Sequence, residues 1–165
     1  MPRNLASLVL PLTAAVVVPA LLLGRSGWAQ AIAHLQPVRA AAGALLMLAG
    51  LAMLAWTVTL FIRVGRGTLA PWDPTRRLVV RGPYARVRNP MISGVLAILL
   101  GEALASGASP LWTWAALFLA INHTYFVLSE EPGLARRFGA EYAEYKRHVP
   151  RWIPRPTAWR PPADH

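Results

Sequence analysis

RGPYARVRNPMISG, residues 81–94, joins the most basic and turn-rich part of the chain directly to an apolar run. Gly82 and Pro83 predict a tight turn, because Pro fixes φ and lacks a donor while Gly adopts backbone shapes closed to other residues. Pro90 favours the first turn of a helix, and Asn89 is its predicted N-cap. The stretch therefore predicts a polar turn that leads straight into a membrane helix.

The same stretch carries three guanidinium groups around one tyrosine, a set that suits carboxylate or phosphate groups and aromatic stacking. These residues are Arg81, Tyr84, Arg86 and Arg88. One interpretation is a binding site at the end of the membrane helix. The other is a basic loop of the kind found on the cytoplasmic side of membrane proteins.

Composition places the chain among membrane proteins. Its 165 residues are 55% hydrophobic, with a mean hydropathy of +0.39 and long uncharged runs. The net charge of +10 comes from basic residues that flank the apolar runs. This arrangement predicts anionic lipid headgroups as partners rather than nucleic acid. Because the chain has no cysteine, disulfides, thiolate catalysis and cysteine-type metal sites are excluded.

Four uncharged or nearly uncharged runs, residues 5–23, 40–62, 91–105 and 111–128, are candidates for membrane spans. The first also fits a cleaved signal peptide, although it is long for one and no clear cleavage site closes it. Gly43 and Gly50 lie at helical spacing in the second run, where small residues allow another helix to approach closely. The predicted fold is all-α, a single domain of residues 1–165 with four transmembrane helices and a C-terminal amphipathic surface helix.

Charge distribution predicts the orientation. Only Arg25 and Arg39 of the 17 basic residues fall in the two loops on the opposite side from the basic segments 63–90 and 129–154. The positive-inside rule then places both termini and both segments in the cytoplasm.

After Ser129 the apolar residues recur at helical spacing, while charged residues occupy the other faces. The apolar stripe consists of Leu134, Phe138, Tyr142, Tyr145 and Val149. We expect this amphipathic helix to lie on the membrane surface or to fold against the site, followed by an extended tail stiffened by Pro150 and Pro154.

Four residues are candidates for acid–base chemistry. Glu130 and Glu131 are adjacent carboxylates near the basic segment, where they suit an ammonium or ribose hydroxyls, although Ser129 and Pro132 around them also fit an ordinary helix opening. His123 lies two helical turns before Glu130 and is either a catalytic base or a packing residue. Glu102, in the third run, is a functional group at membrane depth or a solvated one at the far interface. The histidines show no ligand spacing, so no metal site is predicted.

RGPYARVRNPMISG together with EEPGLARRFGAEYAEYKRHVPRWIP, residues 130–154, resembles the superfamily of isoprenylcysteine carboxyl methyltransferases and phospholipid N-methyltransferases, which are integral membrane enzymes. The resemblance covers residues 65–154 and implies that these segments wrap S-adenosylmethionine at the cytoplasmic face. The implied cofactor-binding residues are Tyr84, Arg88, Asn89, Pro90, Gly94, Glu130, Glu131, Tyr142 and Arg151. The family usually has His-Pro where this chain has Asn89-Pro90, so a titratable side chain is absent there.

The resemblance implies methyl transfer to an acceptor embedded in lipid, with a membrane lipid as substrate and no metal. A phospholipid or other lipid amine is the favoured acceptor, with His123 or Glu102 as the catalytic base that removes its proton. Carboxyl O-methylation of an isoprenylcysteine-like substrate needs no base and is the alternative. A non-enzymatic lipid-binding scaffold is the alternative of another class, and the sterol reductases share a similar C-terminal signature in much longer chains.

Overall fold

The computed structural model describes residues 11–33, 36–64 and 78–160. The start of the predicted first span and residues 65–77 of the predicted cytoplasmic segment lie outside this part. The described residues form α-helices and shorter helical turns and no strand. The helices are α1 (Val18–Ala33), α2 (Pro37–Val64), α3 (Pro90–Ser106), α4 (Ser109–Tyr125) and α5 (Glu131–His148). The all-α prediction is therefore confirmed.

Two helical segments are long and apolar enough to cross a membrane. They are Pro37–Leu60, within α2, and Ser109–His148, which contains α4 and α5. The apolar helices Thr13–Gly24 and Pro90–Ser106 coincide with the other predicted spans but are shorter. The four-span topology therefore stays a prediction, with two spans supported by length and composition.

Glycines bring α2 and α3 into backbone contact. A Cβ built on Gly50 would lie 2.5 Å from the carbonyl oxygen of Gly94, and one on Gly43 would lie 2.6 Å from that of Gly101. Both pairs are seven residues apart on antiparallel helices, so they mark one seam along the helix pair. The sequence prediction that Gly43 and Gly50 admit another helix is confirmed.

A π-helical turn, Thr13–Val17, precedes α1. In this turn the N–H of Val18 donates to the carbonyl of Thr13, so it no longer serves the carbonyl of Ala14. Pro19, the next residue, has no N–H to offer. The indole of Trp114 in α4 supplies the missing donor, with a 3.0 Å hydrogen bond to the Ala14 carbonyl. Because Pro19 lacks an N–H, the Ala14 carbonyl is free to accept the hydrogen bond that joins α4 to the N-terminal helix.

A second π-helical turn, Phe126–Glu130, connects α4 directly to α5, and it too is followed closely by a proline, Pro132. The helix therefore continues through Ser129, and the alternative in which Ser129 caps a new helix is wrong. Asn89 is the N-cap residue of α3 and Pro90 is its first residue, as predicted, but the Asn89 side chain makes no capping hydrogen bond. The predicted turn at Gly82 is confirmed, because Gly82–Ala85 is a 3₁₀ helix that begins at a φ of 58°.

The apolar stripe of α5 faces the protein. Tyr142, Tyr145 and Val149 are buried. They pack against partly buried side chains from the polar segment, from α5 itself and from the tail, namely Leu78, Val80, Leu134, Phe138 and Trp159. Of the two predicted positions for α5, the structure shows folding against the site.

Candidate functional site

The site is organised around the carboxylate of Glu131, at the start of α5. Its Oε1 accepts a 2.7 Å hydrogen bond from Arg88 Nη1, which lies just before α3. The same oxygen lies 2.7 Å from both Nε and Nη2 of Arg151 in the tail. Its Oε2 pairs with Lys146 Nζ at 2.8 Å. One buried acid thus joins three cations from three separate parts of the chain.

Glu130 and Glu131 are adjacent, but the structure gives them opposite environments. Burial opposes ionisation of Glu131, yet the Lys146 hydrogen bond and the Arg88 and Arg151 guanidinium groups outweigh it and lower its pKa. Burial raises the pKa of Glu130 to about 6, and the neighbouring Glu131 charge adds to this effect. The Glu130 side chain makes no hydrogen bond or ion pair to any described residue. Glu131 therefore holds the site together, while Glu130 is available to a ligand.

Arg88 also keeps unused hydrogen-bonding capacity. Its Nε is buried and has no partner among the described residues, although Nη1 contacts Glu131 and, at 3.4 Å, the hydroxyl of Tyr142. A buried N–H without an acceptor is costly, so a bound acceptor at this point would be stabilised. Arg88 thus offers an unsatisfied donor, and Glu130, adjacent to Glu131 in sequence, offers an acid without a partner among the described residues.

Backbone hydrogen bonds fix the tail across the segment that precedes α3. The Arg88 N–H donates to the Pro150 carbonyl at 2.9 Å, and the Arg155 N–H donates to the Arg86 carbonyl at 3.0 Å. The Ser93 hydroxyl adds a bond of 3.3 Å to the Trp152 carbonyl. These contacts place Arg151 and Trp152 beside the Glu131 cluster.

His123, at the end of α4, lies beside the cluster. The indole N–H of Trp152 donates to His123 Nδ1 at 3.2 Å, and Arg151 Nη1 lies 3.3 Å from the same nitrogen. Because an indole nitrogen is always a donor, Nδ1 is the acceptor and the ring proton sits on Nε2. The Nδ1 lone pair is already occupied, so a base role requires a substrate to displace these donors.

Two tyrosines predicted to contact the cofactor lie behind the cluster. Tyr142, in α5, is buried, and burial followed by the Glu131 charge raises the pKa of its hydroxyl. Burial raises the pKa of Tyr84 as well, with further contributions from Tyr145 and Glu130. The Tyr145 hydroxyl donates to the Tyr84 carbonyl at 2.8 Å. These phenols stay protonated at neutral pH and support the position of the cluster.

Two predicted residues have a different place in the structure. Gly94 is buried in the α2–α3 seam, where an added Cβ would lie 2.9 Å from the Gly50 carbonyl oxygen, so its role is helix packing and not cofactor contact. Glu102 lies twelve residues after Pro90 along α3, about 18 Å from the site end of that helix. The structure therefore does not bring Glu102 together with His123. Asn89 and Pro90 lie next to Arg88, with Pro90 fully buried.

The sequence analysis missed Lys146 and Trp152 as members of the site. Lys146 falls among the charged residues that flank the apolar stripe of α5, and its local sequence does not distinguish it from the surface charges there. In a straight helix the fifteen residues from Glu131 to Lys146 would span about 22 Å. The two side chains can pair at 2.8 Å because the helix is broken at Gly139, where φ is 51°. Trp152 comes from an irregular tail, where no periodicity predicts the direction of a side chain.

Among the described residues, no group of three or more His, Cys, Asp or Glu side chains could hold a metal ion. The cluster contains three cations and at most two anions. It suits a ligand with an acceptor group and a separate cationic or hydroxyl group.

Comparison with known proteins gives three findings. The sequence model of the phospholipid methyltransferase family matches residues 38–141, more than half of the chain. Methanethiol S-methyltransferase 2 of Bradyrhizobium diazoefficiens is 37% identical over 81 residues, which is 47% of this chain and 29% of the relative. An uncharacterised protein of Haemophilus influenzae is 35% identical over 63 residues, 38% of this chain and the whole length of the relative. No solved structure matches.

Proposed function

Because the chain belongs to the phospholipid methyltransferase family, we propose that it is a membrane enzyme that transfers a methyl group from S-adenosylmethionine to an acceptor entering from the lipid. The observation that carries the proposal is the buried Arg88 Nε, which has no partner among the described residues although Nη1 of the same guanidinium binds Glu131, with the unpartnered Glu130 next to Glu131 in sequence. A non-enzymatic lipid-binding scaffold, the alternative, would not need a buried donor or acid without a partner.

The residues of the cluster fit the amino-acid part of S-adenosylmethionine. Arg88 Nε would donate to its carboxylate, and ionised Glu130 would accept from its ammonium or from the ribose hydroxyls. Glu131 is fully engaged by Arg88, Arg151 and Lys146, so its part is to hold those cations in position. When bound, this cofactor supplies an electrophilic methyl group on a sulfonium.

The contribution of the protein is mainly positioning. Transfer breaks the bond from sulfur to methyl and forms a bond from the acceptor to methyl, in line, so the two partners must be held at the correct angle. Trp152 and His123 form an aromatic wall at the cluster, with ring centroids 6.3 Å apart and nearly parallel planes. Arg151 Nη1, 3.3 Å from His123 Nδ1, joins this wall to the Glu131 cluster.

We expect Glu130→Gln to weaken S-adenosylmethionine binding. The amide keeps the shape of the side chain but lacks the negative charge that would attract an ammonium group. The loss should be about tenfold or more. Glu141→Gln is the matched control, since Glu141 is an exposed acid of the same helix. Calorimetry in detergent measures both. Equal affinities in the parent protein and the Glu130 variant would contradict the assignment, and no binding by the parent would favour the scaffold.

The same interaction gives a pH dependence. The pKa of Glu130 is about 6, so its charged form predominates above that pH and disappears below it. Affinity for the cofactor should therefore rise with pH and level off above about pH 7, with roughly tenfold weaker binding at pH 5 than at pH 7. The Glu130→Gln variant should lack this change. A parallel profile in the variant would assign the pH dependence to another group.

For the acceptor, we favour a phospholipid or other lipid amine, in keeping with the family. An ammonium must lose its proton before it attacks, and His123 is the candidate base within the site. His123→Ala should abolish turnover and leave cofactor affinity unchanged, as labelled methyl transfer and calorimetry measure separately. Full activity of the variant would show that His123 is not the catalytic base. This is the result expected for carboxyl O-methylation of an isoprenylcysteine-like substrate.

A small thiol is a second candidate acceptor, favoured by the similarity to a methanethiol S-methyltransferase. The excess of cations around Glu131 suits an anionic thiolate better than an ammonium. Methyl-labelled cofactor should be offered with extracted lipids in one reaction and with methanethiol in another. The labelled product, identified by mass spectrometry, decides between the two acceptors.

We also propose four membrane crossings, with the site and both termini in the cytoplasm. Because the chain has no cysteine, single cysteines report sidedness cleanly. A membrane-impermeant thiol reagent applied to intact cells should label Ser109→Cys, at the first residue of α4, and spare Thr157→Cys in the tail. Labelling of both positions from one side would contradict this topology.

A further inference from the structure

A second concave region lies between the end of α2, the turn at residues 80–86 and the tail. It has a volume of about 500 Å³, and its lining includes Trp56, Arg81, Arg86, Trp159 and Arg160. It shares no residue with the cluster around Glu131. Among the described residues, none of those that line it is acidic. We call it the arginine–tryptophan cleft.

The positive charge of this cleft is not neutralised by the part of the chain that the structure describes. Arg81 and Arg160 are exposed, and neither side chain forms a hydrogen bond or an ion pair with a described residue. The Arg86 guanidinium donates to the backbone carbonyls of Pro156 and Arg155, so it keeps its full charge.

Two tryptophans give the cleft a fixed shape and a defined depth. Trp56 is half exposed near the end of the apolar segment Pro37–Leu60, a position that tryptophan favours at the boundary between membrane and water. The Trp159 ring stacks on His148 with ring centroids 5.4 Å apart. The backbone N–H of Trp159 donates to the Ala85 carbonyl at 2.8 Å. A tryptophan at this position favours placing the cleft at the level of the lipid phosphates.

From this geometry we propose that the arginine–tryptophan cleft binds the phosphate of an anionic membrane phospholipid. Guanidinium forks match phosphate oxygens with two parallel hydrogen bonds, and indole rings pack along the glycerol and upper acyl chain. A lipid with net negative charge is favoured over a zwitterionic one, because the cleft offers three cations and no anion for a choline or ethanolamine group. This lipid is bound for position and is separate from the methyl acceptor.

The test is binding without any methyl donor, so its outcome does not depend on the proposed enzyme activity. The full-length protein in detergent is titrated with phosphatidylglycerol or phosphatidylcholine, and native mass spectrometry counts the lipids retained. We expect the parent protein to bind phosphatidylglycerol at least tenfold more tightly than phosphatidylcholine. Arg81→Gln with Arg160→Gln should remove most of this preference.

Arg136→Gln with Arg137→Gln is the matched control, because it removes the same charge from exposed positions of α5. The preference should persist in this control, and both double variants should unfold at the temperature of the parent. Equal losses in the two double variants, or no preference in the parent, would overturn the proposal. Millimolar inorganic phosphate should not displace the lipid, and displacement would assign the cleft to soluble phosphate compounds and overturn its assignment to lipid.

Discussion

Replacing Glu131 by Gln will unfold the protein at a much lower temperature. The substitution leaves Arg88 and Arg151 buried, with 10% and 17% of their side chains exposed, and without their counter-charge. Breaking a buried ion pair on one side costs about 3–5 kcal/mol, because the remaining charge has lost its partner. Lys146 is half exposed and adds little, since water screens it. A shift on the order of 10 °C in thermal unfolding in detergent is expected.

Glu144→Gln is the control for this prediction. Glu144 lies on the same helix and pairs with Arg147 and His148, but these partners are largely exposed. Surface pairs contribute about 0–1 kcal/mol, so this variant should unfold close to the parent protein. Similar shifts in both variants would mean that Glu131 is no more important for the fold than a surface acid.

The pH dependence of stability has a defined sign for Glu131. Its pKa is lower in the folded protein than the ordinary value of 4.5, so the fold favours the charged form. The stabilisation is fully present above about pH 4.5 and is lost as the pH falls through the folded pKa. The free energy of unfolding of the parent protein should therefore fall in acid. The Glu131→Gln variant lacks this stabilisation already at neutral pH, so acid should cause it a smaller loss.

The helices and the meeting of the two polar segments could be predicted from the sequence, because apolar runs and Pro and Gly positions determine them locally. The apolar stripe of α5 could be predicted from the sequence for the same reason. The different roles of Glu130 and Glu131 could not. They depend on Lys146 and Arg151, fifteen and twenty residues away, and on which adjacent side chain points at them.

The roles of Gly94 and Ser129 were misread for a related reason. Gly94 belongs to a motif that resembles a cofactor-binding segment, yet its near neighbour in space is Gly50, which no local pattern identifies as the partner. Ser129 has the sequence of a helix start. The chain instead passes through Pro132 with a π-helical turn, in which the Glu131 N–H donates to the Phe126 carbonyl, and this keeps α4 and α5 continuous. Helix continuity across a proline depends on tertiary packing.

The second large effect is expected at the seam between α2 and α3. In Gly50→Ala the new methyl group would lie 2.5 Å from the Gly94 carbonyl oxygen and 2.8 Å from Ile98, so the two helices must move apart. Alanine gains about 1 kcal/mol of helix propensity over glycine. The steric cost should exceed this gain and leave a net loss of about 2 kcal/mol, which thermal unfolding can measure. Gly133→Ala is the matched control, because its methyl group meets nothing within 4 Å, and it should be neutral or slightly stabilising.

Gly43→Ala, at the other end of the seam, combined with Gly50→Ala in a double variant, tests whether the helices move as rigid bodies. The two glycines are seven residues apart, about 10 Å along the axis, a distance at which independent substitutions usually add. If α3 shifts as a whole, the first alanine already opens part of the space that the second needs, and the double variant will lose less stability than the sum. Strict additivity would instead mean that each contact relaxes locally. The site residue Arg88 lies just before α3, so a rigid shift should also weaken cofactor binding in the double variant.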